Sequence, residues 1–479
     1  MRRPLSLLLL VVAACGGGDG DDAGPTTARV TSTTTTTSVP STTGTSTTVA
    51  APGTATPAAV APCPPVPARA EPDPKRPHYT LTVEVVLAEN VARGQVSVAF
   101  TPDLATDRLV FRLWPNGPRP ASAGAHLDVG AVTVDGRAAD AAIENPTTLV
   151  VRPGRAIGAG ETVDVSLPWS LRLPGAVDDR ISRSGDAVRL GSFFPILAWE
   201  PGVGWALEPP TTGFAEASLA PVADFDVTVT TSPADLTVLT SGVPKSDAPG
   251  QFRAEAVRDF ALSVGRFTLA KAVAKAPNPV DVTVGVHAGI TEVPDRYLGR
   301  VVRALEDFAN QFGPYPWPSY TLAITPSLGG GIEYPAHVMQ GPGTSGRTTS
   351  HEVAHMWFYG LVGNNQGRDP WLDEGLASYA EARWENALAS FRARSIPSDA
   401  RGRMDEPMTY WESRQDSYYR GVYVQPVQAL TNLGPVDRLD CALRIYVARQ
   451  AYRITRPPDL LAALETVFPN ATNTLAPYL

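Results

Sequence analysis

The chain has 479 residues, 48 acidic against 40 basic, for a formal charge of −8 and a pI near 5.4. That balance leaves no basic footprint for nucleic acid and reads as an ordinary solvated acidic surface. Three cysteines, Cys15, Cys63 and Cys441, are too few for a disulfide scaffold.

At the start, Arg2 and Arg3 precede an apolar run from Leu5 to Ala14 that is too short to span a bilayer and is bounded by small residues. This pattern predicts a secretory signal peptide over residues 1–14. The ending Val12-Ala13-Ala14-Cys15 resembles a bacterial lipobox, and the resemblance implies cleavage before Cys15, lipidation of its thiol and anchoring to the cell membrane outside the cytoplasm. Residues 15–75 are mostly Thr, Ser, Pro, Gly and Ala, too poor in large apolar side chains to repay ordering, so a disordered tether is expected. As a flexible coil of about sixty residues it would reach roughly 45 Å. With Cys15 lipidated, Cys63 and Cys441 remain as an even pair in an oxidising compartment, either bridged or as two free thiols.

About four hundred residues follow, comfortable for two domains. Residues 76–271 alternate in strand fashion, with Tyr79, Leu81, Val83 and Val85 on one face, then Val96, Val98 and Phe100, then Phe225, Val227 and Val229. Gly, Pro and Asp punctuate these runs, which predicts an all-β, sandwich-like domain. Nothing in it has catalytic spacing, and His78 and His126 read as surface or satisfied histidines.

From about residue 279 the pattern changes. Asp281 to His287 reads as a strand, Leu298, Val301, Val302, Leu305 and Phe308 recur at helical spacing behind Pro294, and Tyr320 to Thr325 reads as another strand. It leads into Gly329-Gly330-Gly331-Ile332-Glu333-Tyr334-Pro335, where the glycines permit close approach of another backbone, as when a peptide adds to a sheet edge. Next comes His351-Glu352-Val353-Ala354-His355: two histidines four apart on one helix face can reach one metal with a glutamate beside them. A catalytic zinc needs a third protein ligand and an open position, and Glu374 follows in Trp371-Leu372-Asp373-Glu374-Gly375-Leu376-Ala377. Fixing that glutamate lowers the odds of a chance match about twentyfold. Thr348, Thr349 and Ser350 are expected to cap the first helix, and Asp369-Pro370 to open the second.

Together, Gly330-Gly331-Ile332-Glu333-Tyr334, the His351 to His355 pentad and Trp371 to Ala377 resemble the aminopeptidase N family of gluzincin zinc metallopeptidases, and Val257-Arg258-Asp259-Phe260-Ala261 resembles a signature late in that family's β domain. The resemblance implies a multidomain α+β architecture: an N-terminal all-β saddle or sandwich domain, then a thermolysin-like α/β domain over residues 272–479 ending in short helices, without the large C-terminal helical domain of many members. It also implies one zinc ion held by His351, His355 and Glu374, with Glu352 as general base and peptides as substrates. Glu333 would hold the substrate's free α-amine, beside a strand edge formed by Gly330, Gly331 and Ile332. Tyr418, in Tyr418-Tyr419-Arg420-Gly421, matches the oxyanion-stabilising tyrosine with Arg for the usual Lys, and Tyr419 and Tyr423 are alternatives.

Departures bear on specificity. Tyr334 stands where an Asn is typical, Ile332 replaces Met, Met356 replaces a common Gln, and the β domain's second amine anchor has no sequence counterpart. The expectation is an extracytoplasmic zinc aminopeptidase, with a narrow-specificity endopeptidase and a non-catalytic zinc-containing surface module as alternatives. Nothing in the residues specifies a protein partner.

Overall fold

A computed structural model describes residues 62–213, 219–246 and 248–479. The signal peptide, Cys15 and most of the expected tether lie outside the described residues.

The alternation in the first half folds as a large sheet. Strands β1 (His78–Val86) and β2 (Val91–Phe100) pair antiparallel, β2 continues onto β3 (Val163–Arg172), and β1 pairs in parallel with β4 (Ala223–Ser232), which pairs with β5 (Gln251–Val257). Tyr79, Leu81, Val83 and Val85 are buried, and the Tyr79 ring stacks on Phe225 with centroids 4.6 Å apart. This is the period-2 burial expected of a sheet with one packed face. Two four-stranded sheets and a two-stranded one complete the described β region; one of the four-stranded sheets is built from Ile181–Ser184, Ala187–Leu190, Leu262–Gly265 and Thr237–Thr240. That sheet leans on the next part of the chain: the Thr321 hydroxyl donates to Thr240 O at 2.9 Å, and Ser263 Oγ meets His337 Nε2 at 3.0 Å.

A separate five-stranded sheet carries the site. It runs β6 (Phe267–Lys275), β7 (Pro279–His287), β8 (Ser319–Ile324), β10 (His337–Gln340), β9 (Gly331–Tyr334), with β7, β8 and β10 parallel and the two edge strands antiparallel. The strand at the expected boundary therefore belongs wholly with this sheet, and the change of sheet falls at about residue 266 rather than 271. Helix α1 (Asp295–Phe312) buries Val301, Leu305 and Phe308 as the spacing requires. Helices α2 (Arg347–Ala354) and α3 (Trp371–Trp384) follow, then shorter helices and α4 (Val436–Gln450), whose Leu439, Leu443, Tyr446 and Val447 are buried. The whole is a β-rich N-terminal part followed by a helix-rich α/β part, as expected.

Further contacts tie segments far apart in sequence. Buried Arg258 donates to the carbonyls of Tyr359, Leu361 and Arg453, so the Val257 to Ala261 stretch grips the chain just beyond α2. Cys63 and Cys441 form a disulfide, which decides between the two alternatives left open by the sequence. The tether also ends earlier than residue 75: the Ala70 N–H donates to Ala448 O at 2.8 Å and Arg69 Nη1 to Pro314 O at 2.9 Å. Backbone pairing and a covalent link, which composition does not register, hold this polar segment on the body.

Candidate metal and peptide site

The site is built where α2 and α3 meet under the edge strand β9. Helix α2 opens four residues before the pentad, behind Gly346, and has no side-chain cap. The hydroxyls expected to cap it are used elsewhere: Ser350 donates to Glu385 Oε1 at 2.6 Å and Thr349 to Thr344 O at 3.0 Å. Helix α3 likewise begins at Trp371 behind Pro370, without a cap from Asp369, whose carboxylate pairs with Arg368 Nε at 3.1 Å instead. The Glu374 N–H donates to Pro370 O, which places Glu374 in the first turn, facing α2.

His351, His355 and Glu374 converge. His351 Nε2 and His355 Nε2 lie 3.0 Å apart, and Glu374 Oε2 is 3.1 Å from the first and 3.3 Å from the second. A tetrahedron around zinc with bonds of about 2.0–2.1 Å has edges of about 3.3 Å, so the donor spacing fits such an ion. The tautomers fit too. His355 Nδ1–H donates to Phe358 O at 3.0 Å and His351 Nδ1 lies 3.3 Å from Glu381 Oε2, so both Nε2 lone pairs are turned towards the common point.

All of these groups are buried. Burial alone would push the Glu374 carboxyl up, but its contacts with the two imidazoles hold it well below the usual carboxylate range. Burial would lower the imidazoles, yet the surrounding carboxylates raise both, His355 to about 9. The pocket thus favours a positive charge at its centre. Burial pushes the Glu352 carboxyl up to about 8, with the charges of Glu333 and Glu374 acting the same way against the imidazoles. Glu352 Oε2 is buried without a hydrogen-bond partner among the described residues, an expensive state unless it serves a group brought to the site.

Strand β9 pairs on one side with β10, through Gly331 with Gln340, Ile332 with Met339 and Glu333 with Val338, and stands at the end of its sheet. A Cβ at Gly331 would lie 2.3 Å from Glu352 Oε1, so glycine is what lets strand and carboxylate approach. A Glu333 carboxylate oxygen lies within 4.8 Å of one on Glu352 and of a His355 ring nitrogen, and Glu333 accepts from Gln366 Nε2 at 3.3 Å. Tyr418 is buried just before a π-helical turn, Tyr419–Val424. Its ring meets Tyr423 edge-on at 5.6 Å, and Tyr423 stacks over His351 at 5.7 Å.

Several neighbours carry no local motif. Arg180, from the β region, joins Ile332, Glu333, Tyr334, Tyr359 and Gln366 around a small cleft, and its Nη1 is 3.4 Å from Tyr334 Oη, 154 residues away in sequence. Tyr334, the departure from the expected Asn, also meets Ser192 Oγ at 3.0 Å, and Ser192 donates to Asp259 Oδ2 at 2.6 Å. Its ring is admitted by Gly191, where a Cβ would lie 2.3 Å from Tyr334 Cε2. Tyr359 is held at φ 111°, a strained value for a tyrosine at the lip of a cleft. That bend follows the second histidine so closely that its sequence signal, Tyr359-Gly360, could have been read.

Comparison with known proteins bears on this arrangement. The model of the peptidase family M1 domain matches residues 344–476. Leucine aminopeptidase 2 of Coccidioides immitis (strain RS) is 30% identical over 170 residues, 32% of this chain and 27% of that protein. Human aminopeptidase B is 31% identical over 107 residues, 21% of this chain and 16% of that protein. The matched stretches thus span about a quarter or less of those relatives. The fold is that of an M1 zinc metallopeptidase from Deinococcus radiodurans, solved as an E323A mutant: TM-score 0.63 at 21% identity, covering 84% of this chain and 94% of that one. The same mutant bound to a Tyr-Ser-Ala substrate gives a TM-score of 0.64 at 23% identity, covering 84% and 93%.

Proposed function

This chain belongs to the aminopeptidase N type of gluzincins in peptidase family M1, and from that premise we propose that it is a zinc-dependent aminopeptidase releasing amino-terminal residues from peptides outside the cytoplasm. The observation that carries the reading is the convergence of His351 Nε2, His355 Nε2 and Glu374 Oε2 at 3.0–3.3 Å, with the buried Glu352 carboxylate beside them and Glu333 on the adjoining strand edge. The tripeptide seen on a protein of the same fold supports peptides of this size as substrates.

The zinc that His351, His355 and Glu374 would hold supplies Lewis acidity, polarising the scissile carbonyl and making water acidic near neutral pH. Each protein group then has one task. The free outer edge of β9 receives the peptide backbone as an added strand, and Glu333 pairs with its terminal ammonium, setting which bond lies over Glu352. Glu352 takes the proton from the attacking water and passes it to the leaving amine, and a divalent ion beside it would favour the ionised carboxylate that the first step needs. The Tyr418 hydroxyl donates to the oxyanion that develops on the carbonyl oxygen. We propose lipid attachment at Cys15 as the anchor that keeps the enzyme at the outer face of the cell membrane.

Aminoacyl p-nitroanilides assayed beside N-acetylated peptides of the same residues test the reading. Cleavage of the free-amine set alone supports it, equal cleavage of both makes the protein an endopeptidase, and no cleavage with zinc bound makes it a binding module.

A further inference from the structure

We propose that Tyr334, Ser192 and Asp259 form a hydrogen-bonded tie between the β region and the catalytic sheet, and that this tie positions strand β9, and with it Glu333, for the grip on the substrate's amine. The inference rests on the aminopeptidase reading above and assigns it three positioning residues.

Strand β9 needs such a tie. It is four residues long and pairs only with β10 among the described residues, so its backbone is held on one side. Side chains alternate along a strand. Glu333 faces Glu352 and His355, whereas Ile332 and Tyr334 turn to the opposite face and pack with Ala261, Leu328 and Met339. Whatever fixes the Tyr334 side chain therefore steadies, from the other face of the strand, the carboxylate one residue before it.

The tie has a direction. Tyr334 Oη lies 3.0 Å from Ser192 Oγ, and Ser192 Oγ donates to Asp259 Oδ2 at 2.6 Å. A serine hydroxyl has one hydrogen, so with that hydrogen on Asp259 the Tyr334 hydroxyl is the donor to Ser192. Tyr334 Oη in turn accepts from Arg180 Nη1 at 3.4 Å, and Asp259 Oδ1 accepts from the Phe260 N–H at 2.7 Å. Tyr334, Ser192 and Asp259 are all buried. In a water-poor interior, cutting one link of such a chain leaves polar atoms unpaired, which favours the single arrangement in which every link is made.

The backbone is shaped to make this chain. Ser192 is held at φ 47°, a costly conformation for serine, and Gly191 before it leaves the space that the Tyr334 ring occupies. Both features bring a hydroxyl from the β region to the end of β9. Asp259 follows Arg258, whose side chain donates to the carbonyls of Tyr359 and Leu361, so one short stretch holds both β9 and the chain beyond α2. Supporting contacts of this kind are what keep a binding carboxylate in a productive place.

The test is kcat and KM of the full zinc-loaded chain on the aminoacyl p-nitroanilide that the wild type cleaves fastest, with the N-acetylated form of that amide as control. The wild type is compared with Tyr334→Phe, Ser192→Ala and the double variant, with zinc content and melting temperature measured on each. Each single variant should keep its zinc, raise KM about fivefold or more and hold kcat within about threefold, because the hold on the amine is lost from ground state and transition state alike. The double variant should match the worse single within about twofold, since both substitutions cut one chain. Folded single variants with a wild-type KM, even if they melt earlier, overturn the inference and spare the aminopeptidase reading. A loss confined to kcat, or effects that multiply in the double variant, does the same. A wild type that cleaves no free-amine amide, or cleaves the acetylated one equally well, overturns both.

Discussion

The corner where His351, His355 and Glu374 converge and the cleft around Glu333 lie side by side but are assembled differently. The first is local: His351 lies in α2, His355 caps its C-terminal end, Glu374 comes from the next helix, and the sequence interval is short. The second gathers Arg180 from the β region, Glu333 and Tyr334 from an edge strand, and Tyr359 and Gln366 from the loop between α2 and α3. Helical periodicity fixes which side chains can meet in the first, whereas only the packed tertiary structure sets the second. On the proposed function the metal chemistry would fall to the local corner and the hold on the substrate's amine to the dispersed one, so the two should respond differently to substitution.

The largest separation is expected at Glu352. Glu352→Gln should keep one zinc per chain and lose kcat by about 10²–10⁴-fold, measured by metal analysis alongside peptidase assay. Near-normal turnover would remove Glu352 from its role. Tyr418→Phe should cost about 10²–10³-fold in kcat with KM little changed if its hydroxyl has the proposed role, on charge that develops only in the transition state. Tyr423 offers the sharper contrast: its ring stacks on His351, so if Tyr423→Phe is the more damaging variant, the oxyanion donor has been misassigned. Gly331→Ala should push into the Glu352 carboxylate and lower activity by tenfold or more while zinc content holds, which separates strand position from metal binding. The smallest effect belongs to the Cys63 to Cys441 bridge, far from both corners in sequence. Cys63→Ser with Cys441→Ser should leave kcat/KM within about twofold and lower the melting temperature by a few degrees, because the bridge restrains the chain rather than the chemistry.

The same contrast explains what could be read before folding. Alternation in Tyr79, Leu81, Val83 and Val85, and the helical repeat through Val301, Leu305 and Phe308, foretold their elements because one face of each is buried. Helix starts were less legible. Thr348, Thr349 and Ser350 have the right chemistry for a cap, yet Thr349 and Ser350 found tertiary partners, Thr344 and Glu385, and α2 begins behind a glycine instead. The docked end of the polar segment, at Arg69 and Ala70, rests on backbone hydrogen bonds that any residue can make. Tyr334 looked like a bare departure from a familiar pattern. In three dimensions it belongs with Gly191, Ser192 and Arg180, three residues on the other side of the domain junction, and no spacing rule links them.

The central claim is that three side chains hold one catalytic metal, and metal content measured together with activity tests it most directly. The purified chain should carry one zinc, lose activity on chelation, regain it when zinc is restored, and melt at a lower temperature without it, since an ion that binds only the folded state stabilises by mass action. Glu374→Ala should sharply weaken zinc retention in a protein that still folds. A folded Glu374→Ala variant that keeps a full equivalent of zinc at wild-type affinity, or a chelated wild type that stays fully active, would contradict the account.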